Sequence, residues 1–178
     1  LDTLLPMPGI AYLEITLNPT NDLKFERILN VPKRGLGDTS LRRINELARA
    51  RETSLYQAAR EIAETEELAG KARKSLADLI ASFERWRAAI DAMRHTELAE
   101  LILDESGYTQ MWQNDKSPQA HSRLENLKEL VRFMHEFESL AGFLEHVSLV
   151  MDAETLDAGQ RVSLMTLHAA KGLEFEIV

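Results

Sequence analysis

The 178-residue chain contains no cysteine, which excludes a disulfide framework, a thiolate metal site and a cysteine nucleophile. No apolar run approaches the roughly 18–20 residues that a membrane-spanning helix needs. Residues 1–10 lack a basic segment ahead of an apolar one and carry two prolines, so they do not read as a signal peptide. The five histidines include no HxxxH or HExxH spacing, and so give no zinc signature. No GxxxxGK[ST] stretch occurs, which excludes a phosphate-cradling Walker A loop within the chain. Internal repeats and low-complexity tracts are absent too. Together these absences point to a globular domain from a reducing, cytoplasmic setting.

What remains is 44% hydrophobic and 28% charged, with a net charge of −8. On average that charge argues against a nucleic-acid binder, but its distribution is uneven. Residues 24–51 hold eight basic side chains (Lys24, Arg27, Lys33, Arg34, Arg42, Arg43, Arg49, Arg51) against three acidic ones (Glu26, Asp38, Glu46). That window is +5 and the rest of the chain is −13. A basic patch on an acidic body binds phosphate locally while the remainder repels it. A solvated helix face accounts for the same charges equally well.

Apolar spacing predicts helices almost throughout. Leu76, Leu79, Ile80, Phe83, Trp86, Ile90 and Met93 fall at steps of three and four, predicting one helix over 71–94, about six turns and on the order of 35 Å long. Similar stripes run through Leu124, Leu127, Leu130, Val131, Met134 and Phe137, and through Leu140, Phe143, Leu144, Val147 and Met151. Leu41, Ile44, Leu47 and Ala48 form another, with Asp38, Thr39 and Ser40 as competent N-caps. Leu55, Ala58, Ala59 and Ile62 follow Thr53 as the expected cap, and Leu98, Leu101 and Ile102 lead to a stop at Gly107. The rings and methionines on these stripes read as core, whereas Trp112 falls in a polar stretch read as a loop. Glu61, Glu64, Glu66 and Glu67 read as a solvated helix end. Pro6, Pro8 and Gly9 argue against regular structure at the start. RVSLMT (161–166) and LEFEIV (173–178) suit extended strands flanking a turn, and the sequence stops inside the second, as a piece of a longer chain would.

Two places offer chemistry. In the first, a short helix with Leu23, Phe25, Ile28 and Leu29 leads through Val31-Pro32 to Lys33-Arg34-Gly35-Leu36-Gly37 and a second helix. That is the layout of a helix-hairpin-helix clamp on DNA backbone. Gly35 and Gly37 permit positive φ and a close main-chain approach, and Leu36 packs between the helices. The amides opening the second helix then face a phosphate, with Lys33, Arg34, Arg42 and Arg43 around it. A ligand-free helix–helix turn is the plain alternative. The second place is TLHAAKGLEF (166–175), a strand end carrying Thr166, His168, Lys171 and Glu174, where a phosphate or small polar ligand fits.

TLHAAKGLEF resembles motif V of the superfamily 1A DNA helicases of the UvrD/PcrA/Rep group. NVPKRGLGDTSLRRI (30–44) resembles the glycine-containing duplex-contact motif of their 2B subdomain, and SRLENLKELV (122–131) a segment late in that subdomain. Order and spacing agree from residue 11 to the end, while residues 1–10 depart from the family pattern.

The resemblance implies a mostly α chain: an N-terminal flank from the 2A/2B junction (1–20), a helical 2B-like subdomain (21–158), and a partial RecA-like 2A segment with motif V (159–178). Such enzymes step 3′ to 5′ along single-stranded DNA using ATP and Mg²⁺, and their 2B subdomain grips duplex ahead of the fork. Carried over residue by residue, Gly35, Leu36, Gly37 and Thr39, with Lys33, Arg34, Arg42 and Arg43, would contact duplex. His168 would lie near the single strand, Glu174 would contact the ATP ribose, and Thr166, Lys171 and Gly172 would shape that site. The implied partners are duplex and single-stranded DNA, the remaining domains 1A, 1B and 2A, and repair or replication proteins. Without Walker A, Walker B and arginine fingers the isolated chain is expected to bind no cofactor and to turn over no ATP. The rival expectations are a helical protein-interaction or regulatory module without DNA contact, and an autonomous helix-hairpin-helix repair factor.

Overall fold

The computed structural model describes residues 7–160, and these are mostly helical, with no strand among them. The order is α1 (Pro8–Leu17), α2 (Asp22–Ile28), α3 (Asp38–Arg51), α4 (Leu55–Ala63), α5 (Gly70–Ala88), α6 (His95–Glu105), α7 (Tyr108–Asn114), α8 (Pro118–Met134) and α9 (Leu140–Gln160). The strands expected at 161–166 and 173–178 lie outside the described residues.

The mostly helical expectation holds, and its departures are local. Residues 7–17 are not irregular: Pro8 sits in the first helical turn of α1, where its missing N–H would have no partner anyway. Ile10, Ala11, Tyr12, Leu13 and Ile15 of α1 are all buried and Glu14 is its one charged residue, so α1 is a central helix among the described residues. It packs against α2, α5, α6 and α9. Gly9 permits the approach, because a Cβ there would lie 3.1 Å from Leu103 Cδ2 and 3.2 Å from Tyr108 Cε1.

The helix expected over 71–94 ends at Ala88, and tight turns close it: Ala89 N bonds Trp86 O at 3.1 Å and Ala92 N bonds Ala89 O at 3.1 Å. Ile90 and Met93 remain packed on the core through this turn, which is why the apolar spacing ran on past the helix. Trp112 lies in α7 and not in a loop. Its ring meets Tyr108 edge-on at 6.4 Å, with the Arg123 guanidinium 5.7 Å above it. Ser54, and not Thr53, caps α4 by accepting from Gln57 N at 3.1 Å. Gly107, at φ 82°, ends α6 as expected. Leu23, counted among the apolar residues of α2, is 67% exposed.

The aromatic residues concentrate where α1, α4 and α5 meet. Phe83 touches Tyr12 (stacked, 5.9 Å), Trp86 (edge-on, 5.1 Å) and Tyr56 (edge-on, 6.0 Å), and Tyr56 meets Phe25 of α2 at 5.9 Å. Each such side chain contributes about 1.5–3 kcal/mol by burial alone. Phe25 thereby ties α2 to the cluster, ahead of the turn that follows the helix.

Candidate nucleic-acid interface

Helix α2 is held at its N-terminal end. Asn21 caps it by accepting from Lys24 N at 3.3 Å, and Asp22 Oδ1 accepts from Leu55 N at 2.9 Å, which ties α2 to the start of α4. From its C-terminus the chain passes through a cis Val31–Pro32 bond into the glycine turn. Asn30 organises that turn: its Oδ1 accepts from Arg34 N at 2.7 Å and from Leu36 N at 3.2 Å. Asparagine side chains commonly accept backbone amides just ahead in the chain. Leu36, 1% exposed, anchors the turn in the core as expected from its position between the helices.

The two glycines differ. Gly35 takes φ 73°, in the left-handed region, whereas Gly37 takes φ −83° and ψ −155°, extended backbone open to any residue. The expectation that both use positive φ is therefore corrected at Gly37. Gly37, and not Asp38, Thr39 or Ser40, is the N-cap of α3, and it offers no capping side chain. The first helical bond of α3 runs from Leu41 N to Gly37 O at 3.0 Å, so the amides of residues 38–40 find no acceptor within the helix. Apart from its chain neighbours, no atom of the described residues lies within 4 Å of where a Cβ of Gly37 would stand. The turn thus presents bare main chain beside the positive end of a helix dipole.

Of the basic residues predicted here, Lys33, Arg42 and Arg43 are exposed and make no ion pair or hydrogen bond among the described residues, and Thr39 is exposed beside them. Arg34 is directed differently. Its guanidinium turns inward and donates to main-chain carbonyls of Ile28, Leu29, Pro32 and Ser106 and to the Tyr12 hydroxyl. Lys24 and Arg51 pair with Glu14 (3.6 Å) and Glu61 (3.4 Å), which reduces the free charge of the basic window. Asp38, exposed in the first turn of α3, sets one carboxylate among the cations.

Tyr12 was not predicted as part of this region, and Asn30, the first residue of the 30–44 motif, was given no role of its own. Asn30 had a local signal, standing just before the turn. Tyr12 lies 22 residues from Arg34 and had none. The Tyr12 hydroxyl donates to Val31 O at 2.6 Å, and burial pushes its pKa up to about 12. No cluster of metal-ligating side chains occurs among the described residues. The other predicted site residues, Thr166, His168, Lys171, Gly172 and Glu174, lie outside the described residues.

Free amides, exposed cations and a glycine surface suit one chemistry, hydrogen bonding and charge neutralisation of phosphate oxygens, which positions a nucleic acid without reading its bases. Comparison with known proteins agrees with a DNA-acting family. The chain is 43% identical over 173 residues to a probable DNA helicase II homolog of Rickettsia conorii, covering 95% of this chain and 26% of that protein. It is 38% identical over 182 residues to the ATP-dependent DNA helicase PcrA of Bacillus subtilis, covering 95% of this chain and 24% of that protein. The chain therefore spans about a quarter of the length of these curated relatives. With residues 9–178 matching the model of that family, the chain belongs to the UvrD-like helicase C-terminal domain family.

Proposed function

We propose that this chain is the duplex-gripping part of an ATP-dependent 3′–5′ DNA helicase, holding duplex backbone through the α2–turn–α3 unit used as a helix-hairpin-helix clamp. The observation that carries this reading is that Lys33, Arg42 and Arg43, exposed and without a side-chain partner among the described residues, flank in sequence the uncapped start of α3 and the bare main chain of Gly35 and Gly37. Family membership supports it, since relatives of this chain are named DNA helicases. In the whole protein ATP and Mg²⁺ serve the motor. Thr166, Lys171, Gly172 and Glu174 belong to its nucleotide site, and His168 lies near the single strand.

Fluorescence anisotropy of a labelled hairpin duplex, titrated with the chain from about 20 to 200 mM salt, tests the reading. Three phosphate contacts give a log–log salt slope of about −2.7, so affinity falls ~500-fold over that range. Reversing Arg42 and Arg43 to Glu abolishes binding in a chain that keeps its helix content. Absence of binding at the lowest salt, or binding indifferent to salt, overturns the reading in favour of a surface for a protein partner.

A further inference from the structure

The inward course of Arg34 separates it from its basic neighbours. Its Nη1 donates to Ile28 O at 3.0 Å and to Leu29 O and Pro32 O, each at 3.3 Å. Its Nη2 donates to the Tyr12 hydroxyl and to Ser106 O at 2.9 Å, and the guanidinium carbon stands 5.6 Å from the Tyr12 ring centroid. Both terminal nitrogens are thus engaged, which leaves Nε–H alone of the five donors. The acceptors come from four places: the last turn of α2, the turn itself, Tyr12 of α1, and Ser106 at the α6–α7 junction, 72 residues away. The C-terminal carbonyls of α2 carry the negative end of its dipole, a favourable seat for a cation.

We infer that Arg34 is a positioning residue for the duplex grip, a brace that fixes the glycine turn against α1 and the α6–α7 junction and makes no phosphate contact of its own. This rests on the proposed duplex-gripping function. Two side-chain systems then hold the turn: Asn30 orders its amides from within, and Arg34 locks it to the body. Lysine cannot take this place, because a compact ammonium lacks the planar fork that reaches acceptors on two sides at once.

The test compares Arg34→Lys, Arg34→Gln and Tyr12→Phe with Lys33→Gln in the same salt-dependent duplex titration, beside hydrogen exchange of the turn amides in DNA-free protein. Loss of a true phosphate contact, as expected for Lys33→Gln, flattens the salt slope by about 0.9. Arg34→Lys, although it keeps its charge, is expected to weaken binding about tenfold with the slope unchanged, and to speed exchange at Arg34 N and Leu36 N. Tyr12→Phe, which keeps the ring and removes one acceptor, does the same to a smaller degree and covers the case in which an Arg34 variant fails to fold. Full affinity in Arg34→Lys together with a flattened slope in Arg34→Gln would make Arg34 a phosphate ligand and overturn the brace. Faster exchange with unaltered affinity overturns its positioning role while sparing the duplex reading. Failure of the unaltered chain to bind duplex overturns both, and exchange in the variants then still reports whether the brace exists.

Discussion

Asn30 Oδ1 accepts the amide of Leu36 at 3.2 Å across six residues, closing a loop in which Gly35 stands at positive φ and Leu36 is driven into the core. The same oxygen also accepts Arg34 N, so one side chain satisfies two amides that neither flanking helix can reach. Asn30→Ala leaves both half-buried donors without that acceptor. The expected cost is about 1–3 kcal/mol of unfolding free energy, read by urea denaturation, with earlier hydrogen exchange at residues 34 and 36 than elsewhere. An Asn30→Ala chain with unchanged stability and unchanged protection there would show that the turn is held by Leu36 alone.

Gly35 and Gly37 separate stability from binding. At Gly35 any side chain must adopt φ 73°, so Gly35→Ala is expected to lose about 1–2 kcal/mol. Gly37 imposes no such strain. Gly37→Ser supplies the capping hydroxyl that α3 lacks and should raise stability by a few tenths of a kcal/mol. That hydroxyl would occupy amides offered to a phosphate, so duplex affinity should fall as the melting temperature rises. Thermal melts and duplex titrations of the two variants read the opposite signs, and a Gly37→Ser chain that binds duplex as tightly as before removes those amides from the interface.

The elements legible in the sequence are those whose apolar spacing and punctuation agree. The stripe through Leu76, Phe83 and Trp86 is a helix with a buried face, and Gly107 stops α6. Spacing alone did not place the end of α5, because Ile90 and Met93 stay inward through a tight turn that carries no Gly or Pro to announce it. Proline misled at residue 8, since the same residue that breaks a helix interior starts one well. In the candidate site, composition identified the cations but not their directions. Lys33 and Arg34 are neighbours in the chain, yet Arg34 is claimed by acceptors on Tyr12 and Ser106 that only the folded chain brings near.

Tyr12 makes folding sensitive to alkali. Burial raises its pKa from an unperturbed 10 to about 12, with the nearby Arg34 cation opposing the rise only in part. Its neutral form is favoured in the folded chain, so this stabilisation is complete below pH 10 and is lost as pH climbs from about 10 to 12. A shift of this size corresponds to roughly 2–3 kcal/mol. Tyr56 is raised as well, so the contribution of Tyr12 is isolated by difference. The stability of Tyr12→Phe, followed by denaturant titration at several pH values, should fall less steeply over pH 10–12 than that of the unaltered chain. Parallel curves would mean that the Tyr12 hydroxyl titrates alike in folded and unfolded protein.

Asp38 gives the site a charge of the wrong sign for an anion. In the first turn of α3 its carboxylate stabilises the helix by about 0.3–1 kcal/mol through the dipole, yet it stands beside the same free amides and exposed Arg42. Any phosphate approaching Gly37 and Thr39 therefore meets repulsion from Asp38 along with attraction from Lys33, Arg42 and Arg43. Asp38→Asn removes the repulsion while asparagine remains well tolerated near a helix start. Duplex affinity in low salt should then rise about two- to fivefold, and the gain should shrink as salt screens it. The melting temperature should stay level or drop slightly, because the dipole loses its partner. Anisotropy titrations at about 20 and 200 mM salt check both signs. Weaker duplex binding by Asp38→Asn would mean that the carboxylate organises the turn for DNA instead of opposing it.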